Sequence, residues 1–339
     1  MNIPPRMHGG TDALGAAPFD FSTNSNGCGP CPMALEAVQA ADASRYPDPH
    51  YTQLRQRLGR FHGVESERVV LATSASEFIF RFTAWMKQGG TTAVWIPATA
   101  YGDYAHAANA WGMHRCTHPH EAELLWACEP SSPLGQAHAP WPAWLIEGHQ
   151  ASQHLVLDCA YAPLRLSGSP SLTETQREQV WQLYSPNKAL ALTGVRAAYA
   201  IAPLHALQAV CQLDALAPSW PVGAHGVAML QAWTQDATQD WLRQSLVTLR
   251  AWKVAQLQLL QDLGWQCLPS NTNFFCAVPP VGTELNALLD QLRAQGIKLR
   301  DAASLGLPGH VRISVQGAEA QRVLANALTA LQPTMEVTQ

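Results

Sequence analysis

Between Pro32 and Pro203, short β-rich runs alternate with stretches of helical periodicity, and this alternation limits the possible folds more than any other feature of the 339-residue chain. Segments 68–72, 92–96, 124–128, 154–158 and 198–202 read as strands. Ser76 to about Met86 and Tyr104 to Trp111 read as helices between them. Strands linked by helical crossovers imply an α/β fold, a mostly parallel central sheet covered on both faces. Ligands of such sheets lie beyond the carboxyl ends of the strands. Pro218, Pro221 and Gly223 interrupt the pattern. After them, Leu242, Leu246, Leu249, Leu257 and Leu260 recur at helical spacing. Strands near Asn273–Val278 and His310–Val315 then complete a smaller α+β unit. The expected division is an irregular N-terminal segment over 1–30, packed on the small domain and the active site, a large domain over 31–228 and a small domain over 229–339.

With 47% apolar and 14% charged residues, the chain can bury a large core. A net charge of −4 and the lack of any Lys/Arg run argue against nucleic acid or an anionic membrane as partner. The apolar stretches fall short of the ~20 residues of a membrane span. Met1 to Arg6 has no signal-peptide pattern, so a cytoplasmic address is expected. Eight cysteines are too sparse for a disulfide scaffold and read as thiols. The lysines number four: Lys87, Lys188, Lys253 and Lys298. Any chemistry that needs an amine must choose among them.

Lys188 stands in the turn-prone run Ser185-Pro186-Asn187-Lys188, eight residues before Arg196. Desolvation between apolar strands would lower its pKa for imine formation. Ser185 and Arg196 can grip one phosphate from two sides. Asp158 closes an apolar strand, with Tyr161 just beyond it. Thr73-Ser74-Ala75-Ser76-Glu77 opens a helix after a strand, where backbone N–H groups suit a phosphate. Tyr101 stands at another strand end. A capturing lysine, an acid for a ring nitrogen, a phenol donor, a stacking ring and a phosphate cup together meet the needs of pyridoxal 5'-phosphate, held as a Schiff base on Lys188.

In this order the residues resemble the fold-type I pyridoxal-phosphate enzymes, and within them the branch of histidinol-phosphate aminotransferase and threonine-phosphate decarboxylase. The resemblance spans nearly the whole chain and includes His8-Gly9-Gly10, Asp20-Phe21-Ser22-Thr23-Asn24 and Arg45-Tyr46-Pro47-Asp48-Pro49. It implies an aspartate aminotransferase-like fold and a homodimer in which Tyr46 reaches the neighbouring subunit's phosphate cup. It also implies that Ala75, Ser76, Ser185 and Arg196 hold the phosphate, Tyr101 stacks on the ring, Asp158 meets the ring nitrogen and Tyr161 meets the 3-oxygen. Arg312 aligns with the arginine that grips a substrate carboxylate, and Asn24 lies close to that group. Ser132, in Glu129-Pro130-Ser131-Ser132-Pro133-Leu134-Gly135, replaces an asparagine that donates to the 3-oxygen, and Thr73 replaces another in the phosphate loop.

The reaction depends on which bond at Cα stands perpendicular to the ring, and residue spacing does not report that angle. The resemblance of the opening segment and of Gly296 to Asp301 favours decarboxylation of L-threonine O-3-phosphate to aminopropanol phosphate, a step of cobalamin biosynthesis. A histidinol-phosphate type aminotransferase is the alternative, and a catalytically altered relative is the second. Arg6, His8 and Arg300 are candidates for a substrate phosphate. Cys28-Gly29-Pro30-Cys31 copies a redox motif outside its usual strand–helix setting. His114, Cys116, His118 and His120 alternate without a second cluster at zinc spacing, so no metal is expected.

Overall fold

The computed structural model describes residues 8–147 and 153–331. Its strands are β1 (Phe19–Asp20), β2 (Val69–Ala72), β3 (Ala93–Trp95), β4 (His114–Arg115), β5 (Leu124–Cys128), β6 (His154–Asp158) and β7 (Trp181–Tyr184). Then come β8 (Ala198–Ile201), β9 (Gln266–Cys267), β10 (Phe274–Val278), β11 (Ile297–Lys298), β12 (Arg300–Asp301) and β13 (Val311–Ser314). The helices are α1 (Pro32–Gln39), α2 (Thr52–His62), α3 (Ala75–Gln88), α4 (Gly102–Ala110), α5 (Ala143–Glu147) and α6 (Glu174–Arg177). They continue with α7 (Leu207–Ala215), α8 (Ala224–Trp233), α9 (Asp236–Asp262), α10 (Leu285–Ala294) and α11 (Ala318–Leu331).

Seven strands form the main sheet in the order β2-β8-β7-β6-β5-β3-β4. Every neighbouring pair is parallel except those of β8, which runs against both β2 and β7. β5, inside the sheet, and β2, at its edge beside β8, are both buried along their whole length, as expected of a sheet covered on both faces. α3 shows how a local pattern serves this sheet. Ser74 caps it by accepting from the Glu77 N–H at 3.1 Å. Phe78, Ile79, Phe82 and Met86 then recur on one face and are buried with Val70, Trp126 and Trp181. β7, the strand before Lys188, is absent from the sequence-based series, and His114–Arg115 is only a short edge strand.

A four-stranded antiparallel sheet, β12-β13-β10-β9, forms the second layer. α9 lies against it, burying Leu242, Leu249, Lys253 and Leu260. The N-terminal segment joins this part: β1 pairs in parallel with β11, and Asp12 bonds to Arg293 and Lys298. One apolar cluster runs from Phe21 and Leu54 through Tyr161 to Phe274 and Leu324. Position 228 falls inside α8, so a domain boundary there would divide a helix. Among the described residues no helix is long and apolar enough to cross a membrane.

Candidate active site

The carboxyl ends of β2, β3, β5, β6 and β7, with the entrance of β8, surround one pocket. Ser74, Ala75 and Ser76 come from the start of α3, Tyr101 from the start of α4, and Cys128 and Ser132 from the end of β5. Asp158, Ala160 and Tyr161 follow β6, and Ser185, Asn187, Lys188, Arg196 and Ala197 lie between β7 and β8. Nine of the residues expected from the sequence thus share one cavity: Ala75, Ser76, Tyr101, Ser132, Asp158, Tyr161, Ser185, Lys188 and Arg196.

Lys188 is half-buried, and its Nζ lies 5.5 Å from the centroid of the Tyr161 ring. Its own segment is braced on both sides. The Asn26 N–H donates to the Lys188 carbonyl at 2.9 Å, and the Leu192 N–H donates to that of Asn187 at 2.8 Å. Asp158 is buried, and burial pushes its carboxyl up. Tyr104, the Lys188 charge and the Ala160 N–H oppose that shift. The Tyr104 hydroxyl donates to Oδ2 at 2.7 Å, and the Ala160 N–H donates to Oδ1 at 2.9 Å. Ser76 Oγ and Tyr101 Oη are 3.1 Å apart.

Ser185 Oγ and Asn187 Oδ1 are buried without a hydrogen-bond partner, an arrangement that costs free energy unless a bound group satisfies it. Arg196 has no carboxylate partner among the described residues. The Ser185 hydroxyl and the Arg196 guanidinium, together with the free N–H groups of a 14-residue helix at Ala75 and Ser76, are donors that suit a phosphate, whereas Asn187 Oδ1 can only accept. Lys188 and Asp158 lie on the same pocket wall system, as a cofactor with an aldehyde and a ring nitrogen would require.

The other expected residues lie elsewhere. Asn24 is buried beside the cavity, and its Nδ2 donates to the Tyr161 hydroxyl at 3.2 Å. Arg312 is buried on β13, with Nη2 donating to the Ser22 carbonyl at 3.1 Å and its guanidinium 5.7 Å from the Phe274 ring centroid. The Phe274 ring is in turn 4.7 Å from that of Tyr161. Arg300 sits directly opposite Arg312 in the β12–β13 register. It donates to the Asp301 carbonyl and to Ser304 Oγ. His8 stands at the edge of the site, 6.4 Å from the Tyr101 ring. Tyr46 is 77% exposed and stacks on Trp220 at 4.3 Å, outside the cavity of its own chain. Arg6 lies outside the described residues.

Sequence reading missed Tyr104, Cys128 and Asn187. The signal for Tyr104 was its position three residues after Tyr101, which puts both on one face of a helix. In the redox-like motif, burial pushes the Cys28 thiol up to about 11, unlike the lowered thiols of redox sites. Cys31 is buried at the start of α1. The His118 and His120 rings stack on each other, and no metal-holding group of three His, Cys, Asp or Glu occurs among the described residues.

The family model for aminotransferase class I and II matches residues 17–331. Curated relatives named histidinol-phosphate aminotransferase include one from Thermobifida fusca, 28% identical over 359 residues, which covers 94% of this chain and 93% of its own. Another, from Jannaschia sp., is 26% identical over 345 residues, covering 93% and 92%. Among solved structures, histidinol-phosphate aminotransferase from Sinorhizobium meliloti in complex with pyridoxal-5'-phosphate has a TM-score of 0.76 at 22% identity, over 91% of this chain and 90% of that one. L-threonine-O-3-phosphate decarboxylase from Porphyromonas gingivalis has a TM-score of 0.73 at 19% identity, over 91% and 98%. At these identities the two structures speak for the fold, which is the one expected from the sequence.

Proposed function

The chain belongs to the class I and II aminotransferase family, and from that premise we propose that it is a pyridoxal-phosphate-dependent aminotransferase acting on a small phosphorylated amino compound. The observation that carries this reading is the convergence of the Lys188 amine, the buried Asp158 carboxylate and the Ser185–Arg196 donors in one pocket. The sequence-based preference for a threonine-phosphate decarboxylase gives way here. The curated relatives carry the aminotransferase name, and the decarboxylase enters as a structural neighbour at 19% identity.

In the bound state Ser185, Arg196 and the N–H groups of Ala75 and Ser76 would hold the cofactor phosphate, and Asp158 would face the ring nitrogen. The cofactor supplies an electron-withdrawing ring that takes up the electron pair released at the substrate Cα. Tyr161 already accepts a hydrogen bond from Asn24, so its own O–H is left to donate into the pocket. Lys188 would hold the cofactor, and its amine, when free, would be the base for the substrate Cα proton. Tyr101 closes one wall.

The phosphorylated substrate follows from the arginines. Arg300 and Arg312 are buried side by side, and burial together with the neighbouring Arg312 charge pulls Arg300 below the usual arginine range. Arg312 Nε has no partner, and no carboxylate pairs with Arg312 among the described residues. Two adjacent buried cations favour an anionic guest. In this reading Arg312 receives an anionic group of the substrate, and Arg300, His8 and Arg6 lie toward its phosphate. Tyr46 completes the phosphate site of a second copy.

The test is a comparison of two assays on the purified, cofactor-loaded protein. Amino transfer from histidinol phosphate that requires a keto acid supports the reading. Carbon dioxide release from O-phosphothreonine without a keto acid would replace it with the decarboxylase, and cofactor binding without either activity would mark an altered relative.

A further inference from the structure

Asp158 must carry its charge while almost wholly buried at the wall of the pocket. Each of its oxygens is met by a single protein donor, the Ala160 N–H on Oδ1 and the Tyr104 hydroxyl on Oδ2. Tyr104 is itself fully buried. Its ring lies flat on Trp126, with centroids 4.9 Å apart and planes at 9°, and edge-on to Tyr101 at 5.8 Å. Burial, and next the Asp158 charge, push its phenol well above the usual tyrosine range, so the hydroxyl stays protonated and donates. Tyr101 caps α4 and Tyr104 is its third residue, so one helical turn carries both the ring that lines the cavity and the donor behind the acid.

We propose that Tyr104 is a positioning residue for the cofactor: its hydroxyl orients the Asp158 carboxylate and keeps it anionic opposite the ring nitrogen. The inference rests on the pyridoxal-phosphate reading of the pocket and adds a residue outside its lining. No proton changes place: Tyr104 keeps its hydrogen and Asp158 remains the acceptor. Hydrogen bonds to a charged acceptor are among the stronger ones, and in a dry site their loss is felt in full. With Tyr104 gone, the buried carboxylate keeps one donor and takes up a proton more readily. A neutral acid offers the cationic ring no counter-charge, and the cofactor binds less tightly.

The experiment titrates the cofactor-free protein with pyridoxal 5'-phosphate and follows the absorption band that appears when the cofactor links to Lys188. Tyr104→Phe is expected to weaken affinity by about tenfold or more. Infrared difference spectra at mildly acidic pH should show a larger protonated-carboxyl signal in cofactor-free Tyr104→Phe than in wild type, and its removal in Tyr104→Phe/Asp158→Asn. Tyr199→Phe deletes an equally buried hydroxyl that bonds His62 and Trp233, and should leave affinity unchanged. Site-specific 3-fluorotyrosine at position 104 keeps the shape but makes a stronger donor, and should reduce the carboxyl signal below wild type. If Tyr104→Phe does not fold, the fluorinated protein decides, and an unchanged signal overturns the proposal. A wild type that gains the band while Tyr104→Phe matches its affinity overturns this inference alone. A wild type that gains no band overturns the cofactor reading together with it.

Discussion

Asn24 Nδ2 donates to the Tyr161 hydroxyl over 3.2 Å, a bond between residues 137 positions apart. It ties the N-terminal segment to the wall of the cofactor pocket and fixes the direction in which the phenol can donate. Asn24→Ala removes that constraint. The expected loss is about 3- to 10-fold in cofactor affinity, the worth of one ordinary hydrogen bond, with the fold intact. Equilibrium titration with pyridoxal 5'-phosphate beside circular dichroism checks it, and unchanged affinity would detach Asn24 from the site.

Ser132 lines the pocket where the resembled family carries an asparagine. Ser132→Asn extends a donor further into the cavity and should tighten cofactor binding severalfold. Weaker binding in a folded variant would show instead that the space beside Cys128 is already filled.

Tyr46 offers a test of assembly, because it lies away from its own chain's cavity. Lys188→Ala and Tyr46→Ala proteins should each be impaired, the first without any borohydride-fixable cofactor. In a mixed dimer, one site would combine an intact Lys188 with an intact partner Tyr46. Activity that rises on mixing, above either parent, is the expected result. No gain after subunit exchange would mean that Tyr46 does not serve the neighbouring site.

His62 and His138 should make the protein acid-sensitive. Burial lowers both to about 4, against an ordinary value of 6.5 in the unfolded chain. Between those limits the unfolded state binds more protons, so stability rises with pH across the window and falls as pH drops from 6.5 toward 4. Each histidine should contribute on the order of 1–2 kcal/mol to the difference between neutral pH and pH 5. Denaturant melts of His62→Gln and His138→Gln at the two pH values should show a shallower decline than wild type. Parallel declines would exclude these groups as the cause.

The pieces of the site were legible where a short polar stretch interrupts an apolar strand end. Ser74 to Glu77 after β2, Asp158 to Tyr161 after β6 and Ser185 to Lys188 after β7 are all of this kind. Partnerships across the sheet were not. Tyr104 finds Asp158 because β3 lies next to β5 and β5 next to β6, an order that no local pattern encodes. β7 is only four residues, Trp-Gln-Leu-Tyr, and ends at Ser185-Pro186, so it gave no periodic signal. Lys253 is a comparable case. On a long amphipathic helix it reads as an exposed charge, yet its amine donates to the Ser270 and Thr272 carbonyls in the interior. Its pKa falls to about 8 because burial disfavours the cation.

β8 runs against both of its neighbours, and this single reversal governs how the lysine is carried. The chain leaves β7 and re-enters β8 at the same rim of the sheet, with no crossover helix between. Lys188 and Arg196 therefore ride on one closed return, anchored at both feet. Lengthening that return by even one residue would change the span between amine and guanidinium, so the length of this loop is as much a part of the site as the side chains it carries.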